Sequence, residues 1–211
     1  MIKSDVQFLE AGSSELFNAV SEKRYTVFVE ELQRSYPTQF LQNGKLIEPL
    51  DKRSANLVLL KSQHIIGGVR LTPLRVMIED DPAFLKNYDV APEDLEKSVY
   101  ASKLFINPPS LRHQRYLPFF IANLYCFLAR NGIAKLYLNT NPQLLGLYEK
   151  LGLSPVGTPF TIPEVGNKVI AMVGVLDEGY LARCKSRVYA QYIKKLCQAT
   201  PPAANPPEAA S

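Results

Sequence analysis

The sequence predicts an α/β fold, a mixed sheet flanked by helices, and three observations predict it. First, strand and helix patterns alternate through the second half: SVYASKLFI (98–106), a buried helical stretch (118–130), AKLYLNT (134–140) and a helix ending at Gly152. That ordering places at least one parallel pair in the sheet, because parallel neighbours need a crossover between them. Second, NLVLLKSQHIIGGVRLTP (56–73) reads as a hairpin, two β-rich runs around a polar turn. Third, a chain of 211 residues that is 46% hydrophobic can bury a substantial core, which suits a single domain over residues 1–199.

Taken in order, VQFLEA (6–11) reads as a short strand. A helical pattern over 14–34 follows, with Leu16, Val20, Phe28 and Leu32 near one face and Arg24 on the fourfold step between Val20 and Phe28. Residues 35–51 carry a proline, Asn43-Gly44 and a second proline, and read as a loop. After the hairpin, 79–97 predicts two short helices parted by a turn at 89–92. KVIAMVGVL (168–176) is a late strand, and 178–198 a final helix with basic residues on its outer face. The tail TPPAANPPEAAS (200–211) has proline and alanine without aromatics and reads as disordered.

Three cysteines, Cys126, Cys184 and Cys197, are odd in number and lie in apolar or helical segments. They argue against a disulfide framework and for a reducing compartment. The opening MIKSDVQFLEAG has no apolar signal core, and the longest apolar run, LPFFIANLYCFLA (117–129), is too short to span a bilayer. The expectation is a cytoplasmic protein. A net charge of +4 gives no reason to expect nucleic acid. Neither cysteines nor histidines fall at metal-ligand spacing, so no metal is expected, and His64, in the hairpin turn, is given no role.

The segment NPQLLGLYEKLGL (141–153) carries the most chemistry. Gly152 stands where a left-handed helix cap favours glycine. The string resembles the last helix of the acyl-transfer core of the GNAT superfamily, and Tyr148 holds the place of the tyrosine that protonates the departing thiolate there. Expelling a thiol from a thioester is easier when a proton donor waits beside the sulfur. Earlier motifs narrow the resemblance. RYTVFVEE (24–31), EPLD (48–51) and GGVRLTP (67–73) are similar to successive signatures of the autoinducer synthases and long-chain N-acyl amino acid synthases. Arg24 with Phe28, Glu48 with Asp51, and Arg70 match in order and spacing, and the resemblance covers roughly residues 5–175.

The resemblance implies a GNAT-like, mostly antiparallel central sheet with a V-shaped splay between two parallel strands and helices on both faces. It implies an enzyme that takes an acyl chain from a phosphopantetheine thioester to the amine of an amino-acid-derived acceptor, with no permanently bound cofactor. Arg24, Phe28, Glu48, Asp51, Arg70 and Lys103 would hold the acceptor. Ser102 and Tyr100 would stand beside the reaction, and Leu104, Phe105, Arg112, His113, Arg115 and Asn141 along the donor. Physical chemistry offers a reason for part of this set. Arg24 and Arg70 lie in apolar segments where an unpaired guanidinium is costly, and Glu48 and Asp51 are natural bidentate partners. The same four residues would equally serve as a structural ion network tying the first helix to the sheet.

The chain departs from the family in two places. Where the synthases carry a glutamate followed by any residue, serine and arginine, this chain reads Tyr100, Ala101, Ser102, Lys103. A phenol with a pKa near 10 is a poor acceptor for the amine proton, which puts homoserine-lactone chemistry in question but leaves acyl transfer. The glycine-rich pyrophosphate turn of acetyl-CoA-dependent members is replaced by Arg112-His113-Gln114-Arg115-Tyr116-Leu117, with Pro118 suited to a first helical turn. Two arginines and a histidine suit one phosphate and the acidic surface of a carrier protein, which tilts the donor toward acyl-carrier protein. An acetyl-CoA-dependent N-acetyltransferase is the second reading, and a non-catalytic acyl-binding or carrier-docking module the third.

Overall fold

The computed structural model describes residues 6–88, 90–107, 116–162 and 167–199. Strand β1 (Val6–Glu10) leads to α1 (Ser14–Arg24), whose first turn is capped by Ser13 accepting the Leu16 amide at 3.2 Å. The helix then widens into a π-helical turn, Tyr25–Glu31, closed by Leu32 N–H to Val27 O at 3.1 Å. The sequence predicts one α-helix over 14–34; the run Thr26, Val27, Val29 crowds an α-helical turn with β-branched side chains, and the widening occurs there. The predicted loop after it holds a small ribbon, β2 (Leu41–Gln42) and β3 (Lys45–Leu46), turning at Asn43-Gly44 with both residues at positive φ, as a two-residue primed turn requires.

The predicted hairpin is β4 (Ala55–Lys61) and β5 (His64–Pro73). Helix α2 (Leu74–Asp80), not read from the sequence, follows, and the two short helices expected over 79–97 are 3-10 turns, Pro82–Asn87 and Pro92–Lys97. Then come β6 (Ser98–Ile106), α3 (Tyr116–Arg130), β7 (Lys135–Thr140) and α4 (Leu145–Lys150). Strand β8 (Ser154–Ile162), also unread because Pro155, Gly157 and Pro159 look like breakers, lies at the sheet edge, where proline is tolerated. Strand β9 (Asn167–Val175) completes the sheet. The expected last helix is broken into α5 (Tyr180–Arg183) and α6 (Arg187–Ala199); Ser186 starts the second piece by accepting the Tyr189 amide at 3.3 Å.

The seven strands lie in the order β1-β4-β5-β6-β7-β9-β8, and every neighbouring pair is antiparallel except β6 with β7. Successive residues of a strand point to opposite faces, and the core divides accordingly. Leu57, Leu59, Leu136 and Leu138 pack with α3 and α6 on one face. Val58 packs with α1 and the π-helical turn on the other, where Tyr137 and Ala171 pack with α2. The mixed, mostly antiparallel sheet with helices on both faces is thus present.

Two irregularities meet in β6. Its parallel pairing with β7 ends at Ala101↔Leu138, although β6 runs on to Ile106 and β7 to Thr140, so the strands splay apart. On its other side, Arg70 pairs with Ser102 and Gly68 with Phe105, leaving Val69 opposite both Lys103 and Leu104. This bulge puts Lys103 at φ 53°, a left-handed conformation that costs a side-chain-bearing residue about 1–2 kcal/mol. Close approach of β5 makes the arrangement possible: a Cβ on Gly68 would lie 2.7 Å from the Phe105 ring.

Cysteine chemistry differs from expectation in one respect. Cys184 is free and buried, but Cys126, on the core face of α3, is disulfide-bonded. An odd count excludes a complete framework but not a single bond. Among the described residues no helix is long and apolar enough to cross a membrane, and no group of three side chains is arranged to hold a metal.

Candidate active site

The residues flanking the splay form two different environments. On the face of α1, Arg24 is 1% exposed, Arg70 4% and Asp51 5%, so their charges must be met internally. Arg24 sits at the end of α1, and its Nη1 donates to Asp51 Oδ1 at 2.8 Å and its Nη2 to Asn56 Oδ1 at 2.6 Å. Arg70 Nη1 donates to Glu48 Oε2 at 2.8 Å and to Asp51 Oδ1 at 3.4 Å, while its Nε donates to Ser102 Oγ at 3.0 Å. The two acids are fixed in turn by their own backbone. The EPLD segment makes a reciprocal capping box in which Asp51 Oδ2 accepts the Glu48 amide at 2.8 Å, and the Glu48 side chain accepts the Asp51 amide. The spacing of three between the acids therefore has a geometric origin, a 3-10 turn (Pro49–Arg53) with proline at its start.

The bulge turns Lys103 into this cluster. Its Nζ lies 3.0 Å from Glu48 Oε2 and 3.2 Å from the Tyr36 hydroxyl, and 4.3 Å from the centre of the Tyr36 ring. Phe28, buried in the π-helical turn, packs edge-on against Phe105 and carries the Arg34 guanidinium 5.1 Å from its ring centre. Burial pushes the Arg24 pKa down and Asp51 opposes that; a guanidinium nonetheless stays charged. The network therefore holds three cations, Arg24, Arg70 and Lys103, against two carboxylates.

Farther along the same face, Tyr100 stands two residues before Ser102. Its hydroxyl is hydrogen-bonded with Tyr88 and Asn139, and burial pushes its pKa up to about 12, with the Tyr88 bond and the Arg70 charge opposing. Tyr88 donates to Asn139 Oδ1, and burial raises its pKa further still.

On the opposite face an apolar pocket is lined by Ala101 and Leu104 of β6, Leu138 of β7, Ile121 and Leu124 of α3, and Tyr148 of α4. Its free volume is about 20 Å3, roughly the room of one water molecule. Tyr148 is half-buried at this wall. Asn141 Oδ1 accepts the Gln143 amide at 2.9 Å and so starts the turn that leads into α4. At the other end Gly152 takes φ +87°, and Leu153 N–H reaches Tyr148 O at 3.1 Å, the left-handed cap expected there.

Of the residues singled out in the sequence, Arg24, Phe28, Glu48, Asp51, Arg70, Ser102 and Lys103 come together on one face. Tyr148 and Leu104 share the pocket on the other. Tyr100 lies where the strands part. Phe105 is a core side chain, so only its backbone could meet a donor. Arg112, His113 and Arg115 lie outside the described residues. Sequence reasoning missed Asn56, which is central to the network, and Tyr88 and Asn139. Each is an ordinary polar residue inside a strand or turn, with no spacing that marks it.

No protein-family model matches the chain, and no curated protein matches it in sequence. Its fold does have solved counterparts. A CoA-dependent acyl-homoserine lactone synthase, BjaI, solved with SAM and isopentyl-CoA, superposes with a TM-score of 0.67 at 18% identity, over 90% of this chain and 89% of that one. FeeM, an N-acyl amino acid synthase from uncultured soil microbes, gives 0.61 at 12% identity, over 89% and 97%. The acyl-homoserine lactone synthase LasI gives 0.67 at 16% identity, over 85% and 93%. The chain therefore has the GNAT-like fold that these autoinducer and N-acyl amino acid synthases adopt, as its motifs implied.

Proposed function

We propose that the protein is an N-acyltransferase that moves an acyl chain from a phosphopantetheine thioester, with acyl-carrier protein as the favoured carrier, to the amine of an amino-acid-derived acceptor. The observation that carries this reading is the splay of β6 and β7, with an ion network on one face and a tyrosine-walled apolar pocket on the other. In the proposed mechanism the thioester carbonyl lies in the opening, where N–H groups of the unpaired stretch of β6 polarise it. The acceptor comes from the side of Arg24, Asp51 and Arg70. The surplus positive charge of the network suits an acceptor that also bears a carboxylate. Attack by the amine nitrogen forms the C–N bond, collapse breaks the C–S bond, and Tyr148 protonates the sulfur. Ser102, tied to Arg70, couples the ion network to the strand that carries the donors. Arg112, His113 and Arg115 are proposed to receive the phosphate and the acidic carrier surface.

That BjaI is CoA-dependent and FeeM an N-acyl amino acid synthase supports the class of chemistry. A second reading has its own support: the small pocket in this structure suits an acetyl group better than a long chain, as in an acetyl-CoA-dependent N-acetyltransferase. Thiol release separates the two. Faster release from carrier proteins bearing chains of eight or more carbons (roughly the span of a tunnel through the pocket) supports the first reading. Release from acetyl-CoA alone transfers the assignment to the second.

A further inference from the structure

We propose that Tyr100, fixed by Tyr88 and Asn139 at the point where β6 and β7 part, orients an already neutral acceptor amine by accepting a hydrogen bond from it. The inference rests on the acyltransferase reading and gives a role to the position where the related synthases carry a carboxylate.

The placement is specific. Tyr100 pairs with Tyr137, one residue before the last parallel pair, and Asn139 is the first β7 residue beyond that pair. Tyr88 enters after the 3-10 turn, with its ring edge-on to Tyr100 at 6.3 Å and to Tyr137 at 5.4 Å. Tyr88 and Tyr137 are buried, whereas Tyr100 keeps partial exposure, so it is the member of the cluster that a ligand can reach. The single proton of Tyr88 is committed to Asn139 Oδ1. In the bond between the two phenols Tyr100 is then the donor, which turns lone-pair density on its oxygen toward other partners.

The charged and titratable groups around Tyr100 do not make it a base. Tyr88 comes from the turn, Tyr137 and Asn139 from β7, and Arg70 from β5; the one formal charge among them is Arg70. With its pKa pushed up to about 12, Tyr100 keeps its proton at working pH. The acceptor therefore has to present a free lone pair on arrival. That pair attacks the carbonyl carbon and the C=O π electrons move to oxygen. Collapse expels sulfur with the C–S pair, and Tyr148 supplies the proton it takes. The nitrogen sheds its extra proton to water, and solvent restores Tyr148.

The test is the pH profile of kcat/KM for N-acylated product, on variants first shown to keep the wild-type melting temperature. With the unmodified chain, kcat/KM rises with pH and levels off at the acceptor's own ammonium pKa, shifting when an acceptor of different pKa is used. Tyr100→Phe lowers the plateau by about tenfold, the weight of one hydrogen bond in the transition state, without moving the midpoint. Tyr88→Phe, a positioning variant, lowers kcat more than it raises KM and also leaves the midpoint in place. Tyr100→Glu restores a carboxylate and moves the midpoint to lower pH. A midpoint that ignores the acceptor's pKa, or one displaced by Tyr100→Phe, overturns the inference while leaving acyl transfer standing. If no donor gives product, the acyltransferase reading falls and takes this inference with it.

Discussion

Replacing Asp51 by asparagine keeps the shape of the side chain and removes the charge that two buried guanidinium groups share. Arg24, 1% exposed, would retain only Asn56, and Arg70 only Glu48 and Ser102. Breaking a buried pair from one side costs about 3–5 kcal/mol, because the orphaned charge stays buried. For a chain of this length each kcal/mol moves Tm by about 2–4 °C, so Asp51→Asn should lower Tm by roughly 6–20 °C. Adding Arg24→Met removes the orphan, and the double variant should be less destabilised than the sum of the singles by about 1 kcal/mol or more. Urea unfolding of the four proteins in the cycle measures this. A loss below about 1 kcal/mol for Asp51→Asn, or strict additivity, would refute the claim that the network is tightly buried and mutually dependent.

Three further outcomes follow from the same geometry. Lys103→Ala, which removes a cation 3.0 Å from Glu48, should raise KM for a carboxylate-bearing acceptor by about tenfold with kcat nearly unchanged; steady-state kinetics with an amino acid and its amide check this. Gly152→Ala forces a side chain into φ +87° and sets its Cβ 3.0 Å from Cys184 Sγ, so thermal denaturation should show a loss of about 1–2 kcal/mol. Arg112→Glu with Arg115→Glu should weaken use of acyl-carrier protein at low salt far more than at high salt, because exposed charges are screened beyond about 10 Å at 0.1 M; KM measured across a salt series decides it.

Much of this architecture is legible in the residues, and the reasons are physical. Arginines in apolar segments demand acidic partners, and Glu48 and Asp51 were the candidates at hand; the structure pairs them. The crossover from β6 to β7 announces a parallel pair because a helix lies between two strand patterns. Gly152 marks its cap because few other residues accept that φ. The unread parts depend on contacts distant in sequence. Asn56 joins Arg24 across 32 residues, and Tyr88 joins Asn139 across 51; neither pairing leaves a periodicity behind. The widening at Tyr25 keeps the fourfold spacing of Val20, Arg24 and Phe28, so the pattern cannot tell it from a straight helix. Strand β8 hides behind its prolines, and the bond at Cys126 depends on how helices meet.

The most direct measurement incubates the protein, and separately Tyr148→Phe, with acyl-carrier proteins bearing chains of graded length, acetyl-CoA and a pool of amino acids, and follows N-acylated products by mass spectrometry. The account predicts a product made from a carrier-protein thioester, and a fall of about 10²–10⁴ in kcat for Tyr148→Phe with donor affinity unchanged. Donor binding without any product, equal in both proteins, would contradict it and leave an acyl- or carrier-binding module in its place.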